Sequence, residues 1–140
     1  MSRKALVLDA NILIRAVLGQ KVRSLIIDYA GSVNFFTPSV CFDDAHRYLP
    51  ELLNKRGIAV EPALEVLDIL KRIIQPIEAE WLEAFEAQAR LRLKQRDEQD
   101  WPILAAALAL NCPIWTEDAD FFGVGVATWT TSNITYHLSE

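Results

Sequence analysis

The sequence predicts an α/β domain with a central, mainly parallel sheet and helices on both faces. Three observations carry this expectation. Short apolar runs without helical spacing alternate with stretches whose apolar residues recur every three or four positions. The first run, "KALVL", has an apolar stretch with no alternation, as strands covered on both faces do. Acids also fall just beyond two of the runs, where open α/β sheets place their ligand sites.

The first strand is "KALVL" (4–8), with Asp9 at its carboxyl end. Helices follow in "NILIRAVLG" and "KVRSLIIDYAG", each closed by a glycine, the residue best suited to a helix C-terminus. "VNFFT" (33–37) is the second strand, and Pro38 opens a helix through "SVCFDDAHRYLPELLNKRG", which Pro50 is expected to kink or split. "EPALEVLDILKRI" has proline in a first turn and helical apolar spacing, and "IIQPIE" contains a brief strand. "AEWLEAFEAQARLRLKQR" reads as one longer amphipathic helix, and "DEQDWPILAAALALNC" as a buried one. "PIWT" and "VATWTT" close the chain as strands around "EDADFFGVG".

At 140 residues, with 51% apolar and 24% charged content, the chain is expected to be one domain over residues 1–140. Asp9, Asn11 and Arg15 interrupt any signal-peptide core, and no apolar stretch approaches the roughly 20 residues that span a bilayer. Cys41 and Cys112 lack the spacing of a zinc site or a disulfide framework. A soluble, cytoplasmic protein without membrane partners follows as the expectation. The net charge of −5 argues against a general nucleic-acid coat protein but suits an enzyme whose acids bind metal.

An isolated carboxylate costs several kcal/mol to desolvate, so Asp9 beside an apolar strand needs compensation. Asp118 lies two residues past "PIWT", likewise beyond the carboxyl end of a strand. On the helix after Pro38, Cys41, Ala45, Tyr48, Leu49 and Leu52 are expected to form the apolar face, with Asp44 at its flank and Asp43 nearly opposite. Asp100 precedes "WPILAAALAL". Four separate segments thus bring acids toward one place. Crowded carboxylates repel unless a cation intervenes, and oxygen ligands without cysteine or histidine select hard ions such as Mg²⁺ or Mn²⁺.

Each acid also has a plainer reading. Asp100 is either a ligand or a helix cap, and Asp118 and Asp120 are either ligands or the makers of local Asx turns. Asp43 and Glu117 read as solvated surface. Asn11 is a candidate cap for the first helix and a partner for Asp9, while Thr116 is either strand filler or a supporting hydroxyl. His46 and His137 receive structural roles. The basic run "RLRLKQR" (90–96) is either a solvated helix face or a rim for substrate phosphates.

"LVLDANILI", "TPSVCFDDA", "DWPILAAALAL" and "PIWTEDADF", in this order, resemble the motifs of the PIN-domain family. These are metal-dependent nucleases that include the toxin halves of VapBC-type toxin–antitoxin pairs. The resemblance implies a three-layer α/β/α fold and an acidic centre of Asp9, Asp44, Asp100 and Asp118, with Asp97 and Asp120 nearby. The family usually has glutamate as its second acid, whereas this chain has "DD", which leaves Asp43 as the alternative to Asp44. The function expected is hydrolysis of RNA phosphodiester bonds with Mg²⁺ or Mn²⁺, by a homodimer blocked by an antitoxin protein that inserts an arginine among the acids. The helix around Trp81 and Phe85 offers either dimer contact surface or monomer core. Two alternatives stand beside this one. One is a non-catalytic PIN-like module that binds RNA or protein; the other is a haloacid-dehalogenase-type phosphatase, in whose D-x-D motif Asn11 would replace the second acid.

Overall fold

A computed structural model describes residues 3–140 of the chain. Five parallel strands form one sheet: β1 (Lys4–Leu8), β2 (Val33–Pro38), β3 (Ile74–Ile77), β4 (Ile114–Trp115) and β5 (Thr128–Trp129), in the order β3-β2-β1-β4-β5. β1 is central and its Leu6, Val7 and Leu8 are fully buried, which accounts for an apolar run with no polar alternation. Helices α1 (Ala10–Leu18), α2 (Gln20–Tyr29), α3 (Ser39–Lys55) and α4 (Glu61–Leu70) pack on one another as one layer. α5 (Glu86–Arg92) and α6 (Trp101–Leu110) form the other, and the short α7 (Ile134–Leu138) ends the chain. This is the three-layer α/β/α arrangement, with a sheet that is wholly rather than mainly parallel.

α6 is buried from Ile103 to Ala107 on every side, and its run of alanines lets its backbone approach β1 and β2 closely. Asn111, in the left-handed conformation at φ 51°, closes it. Gly19 ends α1 as expected, its N–H donating to the Arg15 carbonyl, but neither it nor Gly31 closes a helix in the left-handed conformation. Gly19 is extended at φ −125°, and α2 is capped by Ala30 in ordinary helical conformation.

α3 is not split at Pro50 but continues through it to Lys55. Proline removes one helix hydrogen bond, but Leu49 and Leu53 are buried on either side of it, each contributing about 1.5–3 kcal/mol. The buried face of α3 is Cys41, Phe42, Ala45, Leu49 and Leu53, while Tyr48 is 49% exposed. The long helix expected over 79–96 is instead two 3₁₀ turns, Ala79–Trp81 and Glu83–Phe85, followed by α5. Leu82, Ala89 and Leu93 keep the expected apolar spacing and are buried. Such spacing marks a buried face, which 3₁₀ and α turns share, so it does not distinguish them. Among the described residues no helix is long and apolar enough to cross a membrane.

Candidate metal centre

Outward from β1, the strands run to β2 and β3 on one side and to β4 and β5 on the other. The carboxyl ends of β1 and β4 therefore flank the point where the chain connections diverge, and a crevice opens there. It holds a cleft of about 440 Å³ lined by Asp9, Asp44, Asp100 and Asp118. All four acids expected at the site thus face one cavity.

Asp9 is 4% exposed, and two hydrogen bonds offset its burial. Its Oδ1 accepts the N–H of Ile12 at 3.0 Å, capping α1, and its Oδ2 accepts the Thr116 hydroxyl. Register explains the second bond: Leu8 lies opposite Trp115, so the next residues, Asp9 and Thr116, come level. Burial raises the Asp9 pKa, the two hydrogen bonds oppose that rise, and the charges of Asp118 and Glu117 add to it. Asn11 does not cap α1 as expected. Asp9 takes that place, and Asn11 is exposed on the first turn while lining the cleft.

Thr116 is fully buried and is more than strand filler. Its oxygen also accepts the N–H of Asp118 at 2.9 Å, and Asp118 Oδ1 accepts the N–H of Asp120 at 2.9 Å. Asp118 therefore makes an Asx turn and lines the cleft as well, so its two readings hold together. Asp100, by contrast, makes no capping hydrogen bond. The cap is Asp97, which accepts the Gln99 N–H at 3.0 Å and holds the 3₁₀ turn that ends in Asp100. Burial, reinforced by the charges of Asp97, Asp118, Asp9 and Asp120, pushes the Asp100 carboxyl up to about 7.

One carboxylate oxygen from each of Asp100, Asp118 and Asp120 lies within 4.8 Å of the others. Asp120, expected only nearby, thus stands in the closest group, and Asp9 is not part of it. Asp44 lines the cleft but its Oδ1 is held by Arg47 at 3.0 Å on the same helix. Asp43 is exposed and does not line the cleft, so Asp44 is the acid of this pair that faces it. Cys41 also lines the cleft, but burial pushes its thiol up to about 12 and keeps it protonated, a poor ligand. The other side-chain oxygens of the cleft are those of the four carboxylates and of Asn11, Ser39 and Gln99, an oxygen set that fits a hard divalent ion such as Mg²⁺ or Mn²⁺.

The apolar part of the lining includes Ile77, Ala79, Leu82 and Trp101. Neither histidine lines the cleft. His46 faces Asp68 at 3.8 Å, and the His137 ring stacks on Trp129 with centroids 5.1 Å apart. Glu117, expected on the solvated surface, is half-buried, and its Oε1 accepts the N–H of Thr131 at 2.6 Å. Sequence reasoning missed the roles of Arg92 and Arg96, whose guanidiniums reach carbonyls of the loop after Asp118. The positive φ of Gly123 and Gly125 marks that loop as sharply turned, but nothing in the chain's order tells which side chains its carbonyls meet.

Fold and cleft together define a class: a three-layer α/β/α protein with clustered carboxylates at the switch point of a parallel sheet. The chain belongs to the PIN-domain family, whose model matches residues 7–139. Asn11 offers no carboxylate, and this membership leaves the phosphatase alternative without support. Among solved structures, the chain is similar to one from the crystal structure of VapBC2 from Rickettsia felis bound to a DNA fragment from its promoter. The two are 16% identical with a TM-score of 0.69, over 90% of this chain and 98% of that one. A comparison with curated protein sequences gives no match.

Proposed function

We propose that the chain is a Mg²⁺- or Mn²⁺-dependent endoribonuclease, the toxin of a toxin–antitoxin pair. The observation that carries this reading is the convergence of the Asp100, Asp118 and Asp120 oxygens within 4.8 Å at the switch point. Asp100, Asp118 and Asp120 would hold the ion, with Asp9 and Asp44 beside them. When bound, a divalent ion there neutralises phosphate charge and acidifies water. Hydrolysis adds the oxygen of water to phosphorus and breaks a P–O bond, and the leaving oxygen takes a proton.

The residues of the chain divide the remaining work. Thr116 holds Asp9 and Asp118 in one register, so the acids are oriented before a ligand arrives. The apolar lining of Ile77, Leu82 and Trp101 gives the sugar and base next to the scissile phosphate a surface that excludes water. An RNA phosphate enters such an acidic cleft only once the acids are neutralised. An antitoxin arginine would neutralise them differently, binding carboxylates bidentately in place of the ion.

The partner reading draws on the VapBC2 complex, which pairs a protein of this fold with an antitoxin. A homodimer is part of the same reading, and Trp81, 74% exposed, supplies apolar surface for it. The test is cleavage of mixed single-stranded RNAs by the purified chain, with and without Mn²⁺, alongside Asp118→Asn. Cleavage that requires Mn²⁺ and fails in the variant supports the reading. Undiminished cleavage in EDTA, or none with Mn²⁺, overturns it.

A further inference from the structure

Two arginines of the basic run 90–96 make defined contacts with the loop after β4. Arg96 Nη1 donates to the carbonyls of Asp120 and Phe122, at 2.8 and 2.7 Å, and Arg92 Nη1 donates to the carbonyl of Val124 at 3.1 Å. These bonds fasten the loop that carries Asp118 and Asp120 to α5 and the turn after it. Resting on the metal-site reading above, we propose that Arg96 is a positioning residue that aims the Asp120 carboxylate, with Arg92 anchoring the loop behind it.

The geometry at Asp120 carries the proposal. Its N–H is taken by Asp118 Oδ1 and its carbonyl by Arg96, so the peptide units on both sides of its Cα are held. With the backbone fixed on both sides, the side chain has only its own rotamers left to choose among. Partners of this kind orient metal-binding carboxylates, and their loss commonly costs about 10–100-fold in metal affinity.

The loop is shaped for the clamp. Gly123 and Gly125, at φ 80° and 87°, follow the accepting carbonyls of Phe122 and Val124 in a conformation that side chains strain to adopt. A Cβ on Gly125 would also stand 2.7 Å from Arg92 Nη1. Both glycines therefore serve the same fastening.

The sign of one measurement separates this role from a charge effect. Removing a cation near clustered carboxylates strengthens cation binding by Coulomb attraction alone. Loss of positioning weakens it. Mn²⁺ affinity, read by paramagnetic resonance titration without RNA, is expected to fall about 10-fold or more in Arg96→Ala. In Arg96→Lys it should fall less, since the ammonium can still donate to a carbonyl, though without the guanidinium's fixed fork. Arg92→Ala, which removes the anchor at the Val124 carbonyl and leaves the loop sequence unchanged, should weaken Mn²⁺ binding too. It also supplies the reading if Arg96→Ala fails to fold, which thermal melting reports.

Unchanged or tighter Mn²⁺ binding in the folded variants overturns the proposal. The same holds if Arg96→Ala raises only the KM for RNA, which would mark the guanidinium as a phosphate contact. A wild-type chain that binds no Mn²⁺ overturns both the proposal and the metal site. Clamp-dependent Mn²⁺ binding without RNA cleavage supports the clamp and overturns only the nuclease reading.

Discussion

Asp118 and Asp44 face the same cleft, yet they are held in opposite ways. Asp118 follows a buried strand. Its N–H is fixed by the Thr116 hydroxyl and its carboxylate by the N–H of Asp120, so its direction is set by the fold. Asp44 sits on the flank of α3 and is held only by Arg47, whose side chain is 66% exposed. An exposed ion pair of this kind is worth only a few tenths to about 1 kcal/mol. Strand-end acids arrive oriented, whereas the helix-borne acid is free to exchange its arginine for a ligand. The difference predicts a steep hierarchy among residues that look alike in the sequence.

The largest expected effect is at Asp118. Asp118→Asn keeps an oxygen to accept the Asp120 N–H, so the fold should persist. Loss of a metal-binding oxygen should nonetheless lower kcat/KM by roughly 100-fold or more. Circular dichroism with RNA cleavage checks this, and a collapsed fold would break the comparison by making Asp118 a structural acceptor.

Next comes Thr116. Thr116→Val removes the donor to buried Asp9 and the acceptor for the Asp118 N–H, leaving polar groups unpaired. Urea unfolding should show a loss of about 1–3 kcal/mol, with weaker Mn²⁺ binding. Unchanged stability would mean that Asp9 finds another partner.

Asp44→Asn should lower kcat/KM only several-fold and leave stability almost unchanged, since only the exposed Arg47 pair is lost. A loss equal to that of Asp118→Asn would erase the hierarchy.

The smallest effect is in the pH dependence of the metal-free chain. Asp9 and Asp100 both hold protons more tightly folded than unfolded, and Asp100 rises from 3.8 to about 7. The folded chain therefore binds more protons across that window. Stability is fully present below about pH 4 and declines as pH rises through about 7. In EDTA the melting temperature of Asp100→Asn, relative to wild type, should rise between pH 5 and pH 7.5. A flat difference would show that burial and the neighbouring carboxylates do not hold a proton on Asp100 in the absence of metal.

Much of this protein is determined locally. The central strand could be read in "KALVL" because a strand covered on both faces has no need of polar positions. Asp9 and Asp118 stood out for a related reason, since charge at the end of such a strand must be compensated. The order of motifs carried the PIN-domain resemblance. Tertiary structure alone decided the rest. Asp120 joined the closest acidic group because an Asx turn folds it back beside Asp118 and Asp100, a matter of loop geometry rather than residue type. The helix expected over 79–96 became 3₁₀ turns, since apolar spacing records which face is buried and not how the backbone bonds. Arg92 and Arg96 read as surface charge until the loop after β4 brought its carbonyls to them, across 32 residues in one case and 24 and 26 in the other. A hydrogen bond to a backbone carbonyl leaves no mark on the partner's identity, because every residue has that carbonyl.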